Sequence, residues 1–208
     1  SDGLYHSPTT EAGNRGTLSL YLAQGFTGKL EIPPTVLGQM YARWGTQGGY
    51  GAQHINWLIL YGTLIAPQAC RINDGEVINI DLGTIRSTDI VTPGAMPAHY
   101  TPQRIMLEYV CNNLHDTMQI ELTVYGRESA SLPGVLQTSN PDIGIQVTDQ
   151  NMKPFDINGG QVPLTLSFGD IEYETGQQLL YAWPVNTTGT PPATGPFSAS
   201  ALMEVEFH

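Results

Sequence analysis

Two sets of side chains in this sequence have residue types that could do chemistry. Glycosidases use two carboxylates for catalysis, so pairs of acidic residues on one strand face are candidates. The sequence has two such pairs, Glu172 with Glu174 and Glu204 with Glu206. Solvent-facing charges on edge strands explain both pairs, because such charges discourage mispairing of strands. No histidine lies at metal-ligand spacing from another histidine or a cysteine. The five histidines are His6, His54, His99, His115 and His208. The sequence therefore predicts no metal site and no catalytic residue.

Two shorter motifs resemble parts of active sites, and each has a simpler structural explanation. His115 and Asp116 follow Cys111 as in a thiol catalyst, but the asparagines around them are typical of a turn after a strand. The glycine-rich residues 45–51 lack the lysine of a phosphate-binding loop and predict a flexible linker. The Gly-x-Ser-x-Gly motif of common esterases does not occur in the sequence. We expect a protein that is not an enzyme and that needs no cofactor.

The chain has two cysteines, Cys70 and Cys111, in separate candidate strands. In a cytosolic protein they would be free thiols, whereas in an exported β-protein such a pair more often forms one bridge. A bridge that closes a loop of about 40 residues would stabilise the fold by roughly 3–4 kcal/mol on a chain-entropy model. The spacing alone leaves both states open.

Composition favours an all-β protein. The 208 residues include 23 glycines and 15 prolines, and only 13% of the residues are charged. This balance is typical of many short strands separated by turns. The net charge of −11 and the scattered basic residues provide no Lys and Arg cluster for a phosphate backbone, so nucleic acid is not an expected partner. No segment approaches the roughly 20 apolar residues of a membrane-spanning helix.

Alternation of apolar and polar residues predicts a series of strands. Residues 17–22 alternate leucine with polar residues, and residues 29–32 form a second candidate that ends at two prolines. Residues 55–64 are apolar on both faces, as in a strand that is buried on two sides. Further alternating segments lie at residues 78–82, 104–111, 118–124, 143–147 and 162–168. Short strands with turn sequences between them indicate a two-sheet sandwich.

The C-terminal segment has the longest alternating pattern of the chain. One face carries six apolar side chains, and the other face is mainly polar. A long apolar strand at the edge of a sheet promotes aggregation unless another strand covers it. We therefore expect a segment from outside the chain to cover this strand. The six apolar residues are Phe197, Ala199, Ala201, Met203, Val205 and Phe207.

Several short motifs follow one another at defined spacing over residues 55–208. Gly-Thr-Leu-Ile (62–65) leads to Cys70, and a Tyr-x-Cys motif ends at Cys111. The other motifs are Ile-Asp-Leu-Gly (80–83), Asn-x-x-Ile-Gly-Ile-Gln-Val (140–147), Tyr-x-x-Pro-Val (181–185) and Gly-x-Phe-Ser-Ala (195–199). In this order they resemble the pilin domains of chaperone–usher fimbriae, in particular the C-terminal domain of two-domain tip adhesins.

The resemblance implies an incomplete immunoglobulin-like β-sandwich, a pilin fold that lacks its last strand. It implies that a periplasmic pilus chaperone, and then a neighbouring pilin subunit, fill the resulting groove by β-strand addition. The six apolar residues above would line the edge of this groove, and chaperone basic residues would anchor the carboxylate of His208. Phe207 stands where the family usually has a tyrosine, so the hydroxyl is lost. Cys70 and Cys111 match the pilin disulfide.

The function implied is that of a fimbrial subunit, a tip adhesin in particular, exported through the periplasm to the cell surface. An outer-membrane usher and a host glycan or protein receptor would be further partners. Trp44, Tyr50 and Trp57 could stack on sugars, although packing in the core and at an interdomain joint explains them. The alternative from another class is an autonomous carbohydrate-binding β-sandwich, which would fold without a strand from elsewhere.

The N-terminal quarter fits the resemblance less well. We predict that residues 1–54 are the remnant of a receptor-binding domain, or a long N-terminal extension, together with a linker. Residues 55–208 would then form the pilin domain. Alternatively, the chain is a minor structural pilin in which Leu18, Leu20 and Leu22 belong to a donor strand for a neighbour. In a third arrangement, the N-terminal segment fills the groove of its own chain.

Overall fold

A computed structural model describes most of the chain. Several residues that the sequence singled out lie outside the described part: His6, Trp44, Tyr50, His115, Asp116, Glu172 and residues 45–51. The described residues are 13–23, 25–27, 30–41, 54–64, 68–112, 114, 119–167 and 173–208. In this part of the chain, no helix has the length and apolar character needed to cross a membrane.

Strands make up almost all of the described secondary structure. Two short 3-10 turns, Asn73–Gly75 and Ser87–Asp89, follow the fifth and sixth strands. The strands are β1 (Asn14–Leu22), β2 (Gly25–Thr27), β3 (Leu30–Tyr41), β4 (His54–Leu64), β5 (Gln68–Ile72), β6 (Ile78–Ile85), β7 (Gln103–Asn112), β8 (Ile120–Gly126), β9 (Leu136–Gln137), β10 (Ile143–Thr148), β11 (Gln161–Leu164), β12 (Tyr173–Asn186) and β13 (Phe197–Phe207).

The chain divides into two compact units. The larger one consists of the described residues of Ser1–Gly25 and Ala69–His208, and the smaller one of those of Phe26–Gln68. In the smaller unit, β3 and β4 pair as antiparallel strands. We expected a strand to end before Pro33, but β3 continues through both prolines. The register of β3 against β4 shifts between Ile32 and Thr35, and such an irregularity accommodates prolines, which have no N–H to donate.

The larger unit is a sandwich of two sheets. The first sheet has the strand order β11-β8-β13-β1-β6, and the second contains β5-β7-β12-β10-β9. The inward-facing side chains of both sheets form one core cluster, to which Leu122 and Met203 contribute from the first sheet and Leu107 and Ile145 from the second. This architecture confirms the all-β two-sheet sandwich that the sequence predicted.

Strand β7 shows how sequence alternation produces the core. Its odd-numbered residues from Ile105 to Cys111 are buried, and the even-numbered residues between them are exposed. Tyr109 is the largest fully buried side chain among the residues whose burial is described, and its hydroxyl donates a hydrogen bond to the Thr165 carbonyl. Gly176 on β12 leaves room for this ring, because a Cβ there would lie 2.4 Å from ring atoms of Tyr109.

Strand β12 was only partly recognised in the sequence, where Glu174 was placed on a strand face and residues 181–185 were noted as a motif. It is the longest of the described strands and lies between β7 and β10. Gln178 faces inward with only 7% of its surface exposed, and its side-chain amide donates to the Leu179 carbonyl at 3.1 Å. A buried glutamine and a glycine interrupt the apolar alternation, so the usual signal of a strand is weak here.

The two cysteines form a disulfide across neighbouring strands. Cys70 on β5 and Cys111 on β7 are paired in register, and a covalent bond joins their sulfur atoms. Neither residue is exposed to solvent. The disulfide that the resemblance implied is therefore present, and it joins β5 firmly to the second sheet.

Replacing both cysteines with alanine should lower the free energy of unfolding by roughly 3–4 kcal/mol. The bridge closes a loop with a sequence separation of 41, so its loss frees the unfolded chain. Urea unfolding of C70A/C111A and of the oxidised wild type, followed by circular dichroism, measures the difference. A variant as stable as the wild type would contradict this role of the bridge.

Candidate functional site

The C-terminal strand β13 lies inside the first sheet and not at its edge. On one side it pairs antiparallel with β8, from Ala201 opposite Gly126 onward. On the other side it pairs with β1, which runs parallel to it. At the start of β13, where β8 has ended, the Ser139 N–H donates to the Ser198 carbonyl at 2.8 Å. Both sides of β13 therefore have hydrogen-bonding partners.

The residues predicted to line the groove lie on the inward face of β13 or just beyond its end. Phe197, Ala201, Met203 and Val205 are buried, whereas Ala199 and Phe207 are half-buried. His208 follows the strand and is exposed, with its Nε2 atom 3.0 Å from Oε2 of Glu121. Their roles toward a chaperone or a neighbouring subunit stay predictions.

Strand β1 occupies the slot between β13 and β6. It pairs parallel with β13 and antiparallel with β6, so it is a central strand of the sheet. We expected the second neighbour of β13 to come from outside the chain. In the structure this neighbour is β1 of the same chain, which corresponds to the third arrangement considered from the sequence. The slot between β13 and β6 is called the groove below, and β1 is its occupant.

The side chains of β1 and β13 have complementary sizes along the groove. Gly16 lies opposite Phe197, and a Cβ at Gly16 would be 2.2 Å from the end of the Phe197 ring. Further along, Leu18 lies opposite Ala199 and Leu20 opposite Ala201, so large residues face small ones. A shift of β1 by two residues would place a leucine against the Phe197 ring. The pairing thus fixes one register.

Apolar burial provides most of the free energy that holds β1. Leu18 has no exposed surface and Leu20 has 1%, and burial of a leucine contributes about 1.5–3 kcal/mol. Leu22, the third leucine of the predicted donor strand, is half-buried against the same core. These three leucines share one face, as the alternation predicted.

The outward face of β1 makes weaker contacts with β6. Arg15 pairs with Asp81 at 2.9 Å, and the Ser19 hydroxyl donates to Asn79 Oδ1 at 3.0 Å. The Gly83 N–H, followed by the Arg15 guanidinium, holds the pKa of Asp81 below its usual value. Both members of the ion pair are exposed, and exposed pairs add little to stability.

Asn14, at the start of β1, is a buried polar side chain with only part of its hydrogen-bonding capacity satisfied. Asn14 is fully buried, and its amide nitrogen donates to the Ser87 hydroxyl at 3.1 Å. Its Oδ1 atom has no hydrogen-bond partner among the described residues. A buried acceptor without a partner costs about 1–3 kcal/mol, which opposes the docking of β1.

The outward face of β13 carries acidic residues in contact with β8. We expected Glu204 and Glu206 to be charges on an edge strand, but β13 is central, so this explanation is wrong for them. Glu206 accepts hydrogen bonds from the Tyr125 hydroxyl and from Gln161 Nε2. The hydrogen bond to Glu206 raises the pKa of Tyr125, and burial adds to this effect.

The groove between β13 and β6 has the features of a strand-binding site. Within the described ranges, no group of three or more His, Cys, Asp or Glu side chains is placed to hold a metal ion. The groove provides backbone donors and acceptors on β13 and β6, and apolar pockets that now hold Leu18 and Leu20. Such a groove recognises an extended segment with large apolar side chains at alternate positions.

The sequence did not reveal the residues that fix the fit of the occupant. Gly16 directly precedes the alternating residues 17–22 and had no predicted role, and Gly83 was noted only as the end of the motif at residues 80–83. Gly83 has φ of +78°, and the register of β1 against β6 shifts opposite it, which marks a β-bulge. Neither role can be predicted without knowing that β1 enters this sheet.

Replacing Leu20 with alanine should destabilise the chain by about 2–5 kcal/mol, because it leaves a cavity in the core. The matched control is Ser19→Ala on the same strand, which removes only a hydrogen bond near the surface. Urea unfolding of both variants measures the difference. Equal stability of the two variants would show that β1 is not packed in the groove.

Alkaline pH should destabilise the wild type more than Tyr125→Phe. The folded-state pKa of Tyr125 is raised, so its contribution is complete below about pH 10, the unfolded value, and is lost as the pH rises through the folded value. The free energy of unfolding is measured between pH 9 and pH 11. Parallel pH profiles for the two proteins would contradict the hydrogen bond to Glu206.

Comparison with known proteins identifies relatives of this chain. A family model described as "Fimbrial protein" matches residues 58–208. The probable minor fimbrial subunit LpfD of Escherichia coli O157:H7 is 30% identical over 202 residues, which are 95% of this chain and 57% of that protein. The type 1 fimbrin D-mannose specific adhesin of Salmonella typhimurium is 25% identical over 192 residues, which are 90% of this chain and 55% of that protein. The chain thus spans about half the length of the curated relatives it matches.

A search of solved structures also finds similarity to pilus subunits. The P pilus rod subunit PapA is 16% identical, with a TM-score of 0.48 over 67% of this chain and 99% of that chain. A chaperone–usher pilus structure is 17% identical, with a TM-score of 0.48 over 85% of this chain and 100% of that chain. The family model covers most of the chain and decides its assignment. The chain therefore belongs to the fimbrial protein family, as its motifs predicted, and this family consists of structural proteins and not enzymes.

Proposed function

We propose that the chain is the pilin part of a fimbrial tip adhesin and is assembled by β-strand addition at the groove between β13 and β6. One observation carries this proposal. The strands of residues 69–208 leave β13 and β6 with a slot between them, and β1, from the opposite end of the sequence, occupies it. A groove that holds one extended segment can hold another segment with apolar side chains at the same alternate positions.

The chemistry of the groove specifies its partners. Backbone hydrogen bonds provide affinity that is independent of sequence, and the pockets at Ala199 and Ala201 select large apolar side chains. Such an occupant would be supplied by a periplasmic chaperone during export and by a neighbouring fimbrial subunit after assembly. An outer-membrane usher would act between these stages, and the assembled protein would lie in a fimbrium at the cell surface.

The adhesin assignment is supported by the relatives. One of them is named as a D-mannose specific adhesin and another as a probable minor fimbrial subunit. We place receptor recognition, of a host glycan or protein, mainly in the part of such proteins that this chain does not span. Residues 1–54 would be the end of that receptor-binding part, and residues 55–208 the pilin domain.

A second candidate function is that of a minor structural pilin whose β1 is donated to a neighbour. The burial of Leu18 and Leu20 in a groove of this kind supports it, because a donor strand would place large apolar side chains at alternate positions in the same way. A peptide copying residues 14–22 would then stabilise a neighbouring subunit. The autonomous carbohydrate-binding module has no comparable support, since the family match assigns the chain to fimbrial proteins.

Strand addition predicts that a peptide copying the N-terminal strand of a neighbouring fimbrial subunit raises the melting temperature of the oxidised chain. A ligand at a hundredfold excess over its Kd stabilises by about 2.7 kcal/mol, which corresponds to roughly 5–10 °C for a chain of this size. The measurement uses the wild type and L18A/L20A, in which β1 is weakened. The control peptide carries serine at the alternate apolar positions.

A shift with the peptide and none with its control would support assembly through the groove. The absence of a shift in both proteins would contradict it, because the weakened variant leaves the groove accessible. Stabilisation of a neighbouring subunit by the peptide of residues 14–22, without a shift in this chain, would instead support the second candidate.

A further inference from the structure

Strand β1 blocks the site at which strand addition would take place. We propose that β1 is an internal plug, which closes the groove of the free chain and must leave before another strand can enter. This inference rests on the function proposed above. The inference is that, in the free chain, β1 leaves the groove before a partner strand enters it.

The first observation is that β1 and an incoming strand would need the same atoms. Residues 16–22 of β1 pair with residues 197–203 of β13, and the other side of β1 pairs with β6. Leu18 and Leu20 are buried in the groove, with exposed fractions of 0% and 1%. No second strand can therefore pair with residues 197–203 of β13 while β1 is in place.

The second observation is that β1 is attached less firmly than the strands around the disulfide. Its pairing with β13 is parallel, and parallel ladders are slightly less stable per residue than antiparallel ones. The Arg15 and Asp81 side chains of its ion pair are 69% and 56% exposed. Asn14 is buried with an unpartnered Oδ1 atom, which opposes docking. By contrast, Cys70 and Cys111 join β5 and β7 covalently.

The third observation is that the plug fits in one register. The Phe197 ring in its present position leaves no room for a side chain at position 16, because even a Cβ would lie 2.2–2.8 Å from ring atoms. The small side chains of Ala199 and Ala201 face Leu18 and Leu20. A strand with this degree of fit is a specific occupant, and it keeps an apolar groove covered in a free chain.

The plug lowers the apparent affinity of every other strand. A ligand that binds only the open form has an apparent Kd equal to its intrinsic Kd divided by the open fraction. Because β1 remains part of the chain after it leaves, it returns with the high effective concentration of a tethered segment. Weakening β1 should therefore strengthen the binding of external strands.

A reversible disulfide lock tests the proposal. Thr17 and Ser198 are register partners, and both side chains face outward, so the double variant T17C/S198C should form a bond between β1 and β13. The probe is a fluorescein-labelled peptide copying residues 14–22, and its uptake is followed by fluorescence anisotropy. We expect no uptake by the locked chain, and uptake after mild reduction that leaves the buried Cys70–Cys111 bond intact. The single variant T17C is the control.

A second pair of variants tests the same idea without a lock. L18A/L20A should bind the peptide at least about tenfold more tightly than the wild type, because its open fraction is larger. T17A changes an exposed, outward-facing residue of the same strand and should bind like the wild type. Hydrogen exchange of the wild type provides a measurement without any ligand: β1 amides should exchange through an opening that leaves β7 and β12 protected.

Each outcome decides a different part of the account. Equal uptake of the peptide by the locked and the reduced chain would contradict the plug but would still be consistent with strand addition. The absence of uptake by every form, L18A/L20A included, would overturn the plug together with the proposed function. Exchange of β1 amides only on global unfolding would make β1 a permanent strand and overturn the plug. A dimer that exchanges β1 between two copies would also contradict an intramolecular plug.

Discussion

The pairing of β13 on both of its sides is the constraint on which the rest of this structure depends. A strand in a sheet presents backbone donors and acceptors in two directions, and unpaired groups in a buried strand are costly. Strand β8 and Ser139 supply partners on one side, and β1 supplies them on the other. The same insertion brings Leu18 and Leu20 into the core, so one strand satisfies the backbone and completes the packing.

The fit between β1 and β13 explains how a general mode of recognition becomes specific. Backbone pairing accepts any extended segment, but the Phe197 ring and the two small alanines of β13 accept only one pattern of side-chain sizes. The disulfide and the long β7–β12 ladder hold the second sheet independently of this groove. The covalent and hydrogen-bonded links of the second sheet therefore do not involve the segment that fills the groove.

Much of the fold could be predicted from the sequence, because β6, β7, β8, β10 and β13 alternate regularly between apolar and polar residues. Strand β12 was largely missed, since a buried glutamine and a glycine interrupt its pattern, and β3 continues through prolines that predicted its end. Alternation also identified the inward residues of β13 and the leucines of β1. It could not show that these two segments pair, because the partner of a strand is set by long-range packing and not by local pattern.

The most direct test of the central claim is an NMR measurement on the oxidised chain in solution. Gly16 lies against the Phe197 ring, so its Hα resonances should be shifted by the ring current and should show nuclear Overhauser contacts to that ring. Contacts between Leu18 and Ala199 should follow the parallel register. Random-coil shifts for Gly16, or contacts that define an antiparallel pairing, would contradict the account of β1 as the occupant of the groove.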